Sequence, residues 1–204
     1  MITLVDYGMG NISSVRNALD FLGEESELTA DPLRILQANK ILLPGVGAFP
    51  KAMQRLNELG LVSALREKVL DKNTPCFGIC LGMQLLGEWS EENEMTEGLG
   101  LIPGIVRNIS TIDPNVKVPH VGFNSVDYHM SSLLFDGIKS GSDFYFVHSY
   151  SFHCENNLHQ VAVAGYDNMK ITAAIQCNNV IGVQFHPEKS QANGLKLLQN
   201  FINL

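Results

Sequence analysis

A cysteine that does chemistry needs help to become a thiolate and a neighbour to carry its proton, and two short segments of this 204-residue chain offer both. Gly78-Ile79-Cys80-Leu81-Gly82 is a thiol version of the G-x-S-x-G nucleophile elbow, set between an apolar run and the start of an amphipathic one. Glycines on either side let a sharp strand-to-helix turn project its central side chain. The helix beginning beneath it supplies free N–H groups and a positive dipole end, both of which favour the thiolate. Cys76, inside the strand and without glycine flanks, reads as a small buried hydrophobe. Gln184-Phe185-His186-Pro187-Glu188 ends an apolar strand, where alternation puts His186 and Glu188 on one face. A carboxylate there orients the imidazole and stabilises its cation, so Cys80, His186 and Glu188 form a candidate nucleophile, base and acid.

An attacked carbonyl also needs donors for its oxyanion. Pro44-Gly45-Val46-Gly47 follows a short apolar strand, at the carboxyl edge where open α/β sheets bind ligands. Its backbone, at Val46, together with the N–H of Leu81, is the candidate oxyanion hole. Two other signals are weaker. Gly8-Met9-Gly10-Asn11-Ile12-Ser13 opens a helix but lacks the third glycine of a dinucleotide site. His148, His153, Cys154 and His159 match no zinc spacing and read as histidines scattered around a β-hairpin, so no metal and no cofactor is expected.

The elements that must position these groups are legible in outline. Residues 2–5 read as a first strand, and a helix begins near Asn11, with Ile12, Val15, Leu19 and Leu22 at helical spacing and Gly23 as its stop. Strands follow at 27–29 and 41–43, the latter ended by the 44–47 loop. A helix is predicted over about 50–70, then a buried strand over 75–79 turning into a helix near Leu81. In the second half, segments at 105–109, 123–128, 144–147, 161–164, 171–175 and 181–185 are short, β-rich and joined by turns. They predict antiparallel additions to the sheet. A last helix presents Leu195, Leu198 and Ile202. The class is α/β, an open, mostly parallel central sheet with flanking helices, in a single domain over 1–204.

Composition excludes several functions. With 45% hydrophobic and 17% charged residues an ordinary core is expected. A net charge of −7 gives no global reason to bind nucleic acid or an anionic membrane. The N-terminus lacks a basic start and a long apolar run, so no signal peptide and a cytoplasmic location are expected.

Cys80, His186 and Glu188, with Gly-x-Cys-x-Gly and His-Pro-Glu intact, resemble the Cys-His-Glu triad of class I glutamine amidotransferases, a flavodoxin-like family, in that family's chain order. Further segments are similar to the glutaminase subunits of imidazole glycerol phosphate synthases: Asp6-Tyr7-Gly8-Met9-Gly10-Asn11, Thr96-Glu97-Gly98-Leu99-Gly100, Val118-Pro119-His120-Val121-Gly122 and Tyr145-Phe146-Val147-His148-Ser149-Tyr150. The resemblance implies hydrolysis of L-glutamine to glutamate and ammonia, with ammonia passed to a (β/α)8-barrel synthase partner in a heterodimer of the histidine pathway. Gln84 and Glu92 match positions that hold the amino-acid end of glutamine, and the backbone of Ser149 and Tyr150 matches its carboxylate site. Asn11, Phe123, Tyr145 and Lys189 match partner-facing positions. Phe123 departs from the Trp usual there, so a paralogue supplying ammonia for amidine formation on a surface sugar is the alternative. A non-catalytic regulatory subunit stands outside both and is disfavoured by the intact triad.

Overall fold

A computed structural model describes residues 1–128 and 132–204. In chain order the first half forms β1 (Ile2–Val5), α1 (Ile12–Phe21), β2 (Ser26–Thr29), α2 (Pro32–Gln37), β3 (Ile41–Gly45), α3 (Phe49–Glu58), α4 (Leu61–Arg66), β4 (Cys76–Cys80) and α5 (Leu81–Leu85). The second half forms β5 (Trp89–Ser90), β6 (Thr96–Glu97), β7 (Gly104–Asn108), α6 (Ile109–Ile112), β8 (His120–Tyr128), β9 (Ser142–His148), β10 (Tyr150–Cys154), β11 (Gln160–Tyr166), β12 (Met169–Cys177), β13 (Val180–Val183) and α7 (Gln191–Asn203).

Among the described residues nine strands pair in the order β2-β1-β3-β4-β13-β12-β11-β8-β9. The strands from β2 to β13 are parallel and the rest antiparallel. The burial patterns explain the division. β1, β3, β4 and β13 are buried along their whole length, as parallel strands covered on both faces must be. β8 and β9 alternate, with Val121, Phe123 and Val147 outward and Phe144, Phe146 and His148 inward. Helices cover both faces of the parallel part. Leu42 and Phe77 pack with Leu19 of α1 and Phe201 of α7, whereas Leu43 faces Met53 and Leu56 of α3 and Leu65 of α4.

Several expectations are corrected. β13 runs parallel to β4 and antiparallel only to β12. The predicted strand at 105–109 does not extend the main sheet: β7 joins β10, β5 and β6 in a separate four-stranded sheet. The 50–70 helix is broken at Gly60, whose φ of +67° turns α3 into α4, and a π-helical turn at Glu67–Asp71 prolongs α4. Pro44 and Gly45 lie in β3, paired with Ile79 and Cys80, so the loop proper is Val46 and Gly47. β1 pairs with β3 only as far as Leu42, and beyond it a residue without an N–H is tolerated. On α7 the buried apolar side chains are Leu197, Leu198 and Phe201, with Leu195 and Ile202 at the margin. α2 adds a helix to the expected elements, begun by an ordinary start signal: Asp31 accepts from Leu33 N–H before Pro32.

Candidate active site

The carboxyl ends of β3, β4 and β13 converge on one point, and Cys80 stands there. It closes β4 and is the N-cap of α5, with φ +55° and ψ −110°, a strained conformation for a residue with a Cβ. The flanking glycines follow from contact. A Cβ on Gly78 would lie 2.7 Å from the Gly82 carbonyl and Met83 N, and a Cβ on Gly82 would overlap the Leu43 carbonyl oxygen. The elbow therefore closes on itself and against β3 only if both positions lack side chains.

Cys80 is 6% exposed and opens into a cavity of about 290 Å³. Val46, Gly47, Leu81, Gln84, Glu92, Ser149, Tyr150 and His186 share its walls, with Val147 and His148. The tertiary structure thus brings together every residue expected for catalysis, the oxyanion and glutamine except Glu188, which sits behind His186. Glu188 Oε1 lies 2.8 Å from His186 Nδ1, both side chains buried. Their meeting has a different cause from the one expected. β13 ends at Val183, and Pro187–Lys189 forms a single 3₁₀ turn that folds the carboxylate back onto the imidazole, so strand alternation plays no part.

That turn is clamped from two sides. Ser190 Oγ donates to the His186 carbonyl at 2.6 Å, and Tyr145 of β9 accepts from His186 N–H while its own N–H donates to Ser190 Oγ. α7 presses against it at Gly194, where a Cβ would overlap the Pro187 carbonyl oxygen. Burial by itself lowers the His186 pKa; interactions with the Cys80 sulfur and the Glu188 carboxylate outweigh it and raise the pKa to about 9. Nε2 is buried and makes no hydrogen bond, a looseness common between a nucleophile and its base before substrate arrives.

The residues expected to hold glutamine are seated in detail the sequence does not reveal. Gln84 Nε2 donates to the Tyr150 carbonyl at 3.2 Å and to Gln184 Oε1 at 3.0 Å, which leaves Oε1 to meet a ligand. Glu92 Oε2 accepts from Phe49 N–H at 2.7 Å, at the first turn of α3, so this carboxylate is held by a helix N-terminus. Its neighbour Glu91 instead pairs with Arg107 on the surface.

Sequence reasoning missed three contributors. Gln184, fully buried, links Gln84 to Cys80, its Nε2 3.7 Å from Sγ. Tyr7, also fully buried, donates its hydroxyl to the Pro44 carbonyl at 2.8 Å and so pins β3 just before the loop; burial and then the nearby Cys80 raise its pKa. His148 lines the cavity and does not belong with the scattered histidines, its adjacency to Ser149 being the overlooked signal. His153 and Cys154 lie along β10 and His159 in a turn before β11. Among the described residues no group of histidine, cysteine and carboxylate side chains is arranged to hold a metal ion.

The positions expected to face a partner partly cluster. Phe123 and Tyr145 are opposite one another on β8 and β9, their rings 5.5 Å apart, and Lys189 Nζ lies 5.7 Å from the Tyr145 ring centre. Asn11 accepts from Ser14 Oγ at the start of α1, an element that packs against the 187–189 turn. Phe123 is 52% exposed and, with Val121 and Val147, makes an apolar face that runs up to the cavity mouth at Val147.

An open sheet with a strained cysteine elbow and a buried histidine–glutamate pair at its carboxyl edge defines a class of protein, and comparison agrees: residues 3–204 match the family model of class-I glutamine amidotransferases, and the chain belongs to that family. Among solved structures it is similar in fold to a glutamine amidotransferase (TM-score 0.76, 17% identity, covering 100% of this chain and 98% of that one). Another is PurLQS from Thermotoga maritima (TM-score 0.73, 18% identity, 99% and 97%). Its sequence relatives are more specific. They include imidazole glycerol phosphate synthase subunit HisH 2 of Methanococcus maripaludis (43% identity, covering 99% of this chain and 98% of that protein). The subunit HisH of Moorella thermoacetica (46%; 98% and 93%) and HisH 1 of Campylobacter jejuni (44%; 100% and 100%) are similar over the same span.

Proposed function

We propose that this chain, as one domain over 1–204, is the glutaminase subunit of an imidazole glycerol phosphate synthase, hydrolysing L-glutamine and passing ammonia to a (β/α)8-barrel partner. The observation that carries it is the buried His186–Glu188 pair behind Cys80 in a cavity of about 290 Å³, in a chain similar over its whole length to such subunits.

Cys80 Sγ attacks the amide carbon of glutamine, and the oxyanion is met by backbone N–H groups at Val46 and Leu81. His186 Nε2 carries the proton from thiol to leaving amine, which departs as ammonia. The imidazole then takes a proton from water, and the resulting hydroxide releases glutamate from the thioester. Glu188 keeps Nδ1 protonated throughout. Glu92 receives the α-ammonium, Gln84 Oε1 assists, and the backbone of Ser149 and Tyr150 takes the carboxylate.

The face made by Val121, Phe123, Tyr145 and Val147, with Lys189 and Asn11, receives the partner. There the cavity adjoins an exposed apolar surface at Val147, which fits an ammonia exit toward a second subunit. Loop residues Val46 and Gly47 are the switch. Gly47 sits at φ +113°, so the peptide between them can turn at low steric cost, and one absent oxyanion donor costs roughly 2.7–4 kcal/mol in catalysis.

The test is glutamine hydrolysis by the chain alone, with the barrel partner, and with partner plus acceptor. Low activity alone, rising on addition of partner and acceptor, is expected. Full activity in the isolated chain overturns the coupling, and a complex that makes ammonia but leaves the histidine-pathway intermediate unconverted assigns the chain to the surface-sugar alternative.

A further inference from the structure

Two buried histidines outside the triad form a directed chain of hydrogen bonds that ends at the cavity wall. His148 Nδ1 lies 2.8 Å from the Tyr150 carbonyl, and its Nε2 lies 2.9 Å from His120 Nδ1. His120 Nε2 is 3.4 Å from Asn124 Nδ2, which also donates to the Gly165 carbonyl. A backbone carbonyl only accepts, so His148 carries its hydrogen on Nδ1 and presents Nε2 as an acceptor. His120 must then donate from Nδ1, and its own Nε2 accepts from the Asn124 amide. Every link has one donor and one acceptor, and the directions are consistent from end to end.

The position of this chain gives it consequence. At Ser149 the backbone leaves β9 of the large sheet and enters β10 of the small one. The crossing is held by hydrogen bonds: His148 Nδ1 and Gln84 Nε2 both donate to the Tyr150 carbonyl, and Ile109 N–H donates to that of Ser149 at 2.9 Å. The crossing forms part of the wall of the cavity that Glu92 also lines. His120 is itself fixed between the rings of Phe146 and Tyr166, 4.8 and 4.0 Å away.

We propose that His148 is a positioning residue for glutamine capture: as a neutral imidazole bearing its hydrogen on Nδ1, it holds the Tyr150 carbonyl and hence the backbone of Ser149 and Tyr150, while His120 sets its tautomer. This rests on the glutaminase reading above. Burial keeps both rings neutral, pushing His148 down to about 3 and His120 to about 4; the Tyr150 carbonyl works against this in His148, and His120 and His186 work with it. A neutral histidine therefore braces the backbone at one end of the cavity, and a protonated one, His186, lines the other beside Cys80. Cys80 and His186 are held by β4 and by the 187–189 turn, so loss of the His148 bond falls on binding rather than on the chemical step.

The experiment compares the wild-type complex with His148→Leu, which keeps volume and deletes the donor, and His148→Asn, whose amide nitrogen stands in for Nδ1. Loss of one hydrogen bond should raise KM for glutamine about 10-fold in His148→Leu with kcat within about 3-fold, and His148→Asn should recover most of it. Equal KM in all three proteins, or Asn no better than Leu, overturns the proposal. Should His148→Leu not fold, His120→Phe serves, since an aromatic ring fits between Phe146 and Tyr166; it should raise KM and mix the tautomers of His148, and an unchanged KM overturns the role of His120. Ring-nitrogen NMR of the isolated chain reads the tautomers without any turnover: Nδ1–H on both histidines at pH 7 is expected, and Nε2–H on His148 overturns the proposal. A wild-type complex that fails to hydrolyse glutamine overturns the glutaminase reading and removes this proposal with it, a result distinct from normal turnover that is indifferent to His148.

Discussion

The carboxylate of Glu92 accepts the backbone N–H of Phe49 at 2.7 Å, so the residue proposed to receive the α-ammonium of glutamine also closes the first turn of α3. One oxygen is committed to the helix, and the other remains for the cavity. Glu92→Gln retains an oxygen for Phe49 and loses the charge. KM for glutamine should rise at least about 10-fold, as expected for a lost charged hydrogen bond, with melting temperature nearly unchanged. Glu91→Gln removes only the exposed pair with Arg107 and should leave both quantities unaltered. Equal effects of the two substitutions on KM count against the assignment.

Cys80→Ala should abolish glutamine hydrolysis while leaving the fold intact, since one small side chain replaces another. A diazo-ketone analogue of glutamine should add one equivalent of mass at Cys80 and none at Cys76. Cys76 is fully buried, and burial pushes its thiol up to about 12. Mass spectrometry of the labelled peptides checks both statements, and label on Cys76 would refute the choice of nucleophile.

His186→Ala should lower kcat by something on the order of 10²–10⁴, the usual worth of a positioned acid–base group. Glu188→Gln should cost less, because the proton carrier stays in place. Rates equal to wild type in both variants would dispose of the triad.

Gly82→Ala should be severely destabilising, on the order of 3 kcal/mol, because its Cβ would overlap the Leu43 carbonyl and neither β3 nor α5 can retreat without opening the elbow. Gly165→Ala on β11, where no atom lies within 4 Å of the added Cβ, is the matched control and should be near neutral. Urea denaturation of the two variants measures the difference.

Stability should fall on both sides of neutrality. Below pH 6.5 the unfolded chain protonates His148 and His120, which the folded chain holds neutral until about pH 3 and 4, so stability rises with pH across that window. The slope for His148 alone approaches about 1.4 kcal/mol per pH unit. His186 has the opposite sign. Its folded pKa is raised to about 9, so its contribution is complete below 6.5 and is lost as pH climbs through 9. The rise of the urea midpoint between pH 5 and 6.5 should become less steep in His148→Asn, with His120 still contributing, and an unchanged slope would mean that the His148 ring is protonated in the folded protein.

The residues proposed to carry the chemistry are recognisable in the sequence because their signals are short. Cys80 between two glycines at the junction of an apolar strand and a helix, and His186 two residues from Glu188 beside a proline, each lie within five residues. Strand identity is equally local, since runs such as Ile2–Val5 and Val180–Val183 announce themselves by composition.

Pairing is not local. Whether the run at Gly104–Asn108 joins the large sheet or a second one depends on Tyr150–Cys154, more than forty residues later, and nothing in either segment names its partner. The same holds for the site. Gln184 reaches Cys80, His148 reaches His120 and Tyr150, and Glu92 reaches Phe49 only after the sheet has closed, across separations that no periodicity records. The sequence by itself determined which residues are candidates for the chemistry and where the strands of the large sheet lie, while Trp89–Ser90, Thr96–Glu97 and Tyr150–Cys154 of the small sheet carry no such signal. The tertiary structure alone decided which strands are neighbours, which neutral side chains brace the cavity, and that a 3₁₀ turn brings Glu188 to His186. The physical reason is that side-chain type and backbone preference act over one or two turns, whereas packing and hydrogen-bond satisfaction are settled between segments far apart along the chain.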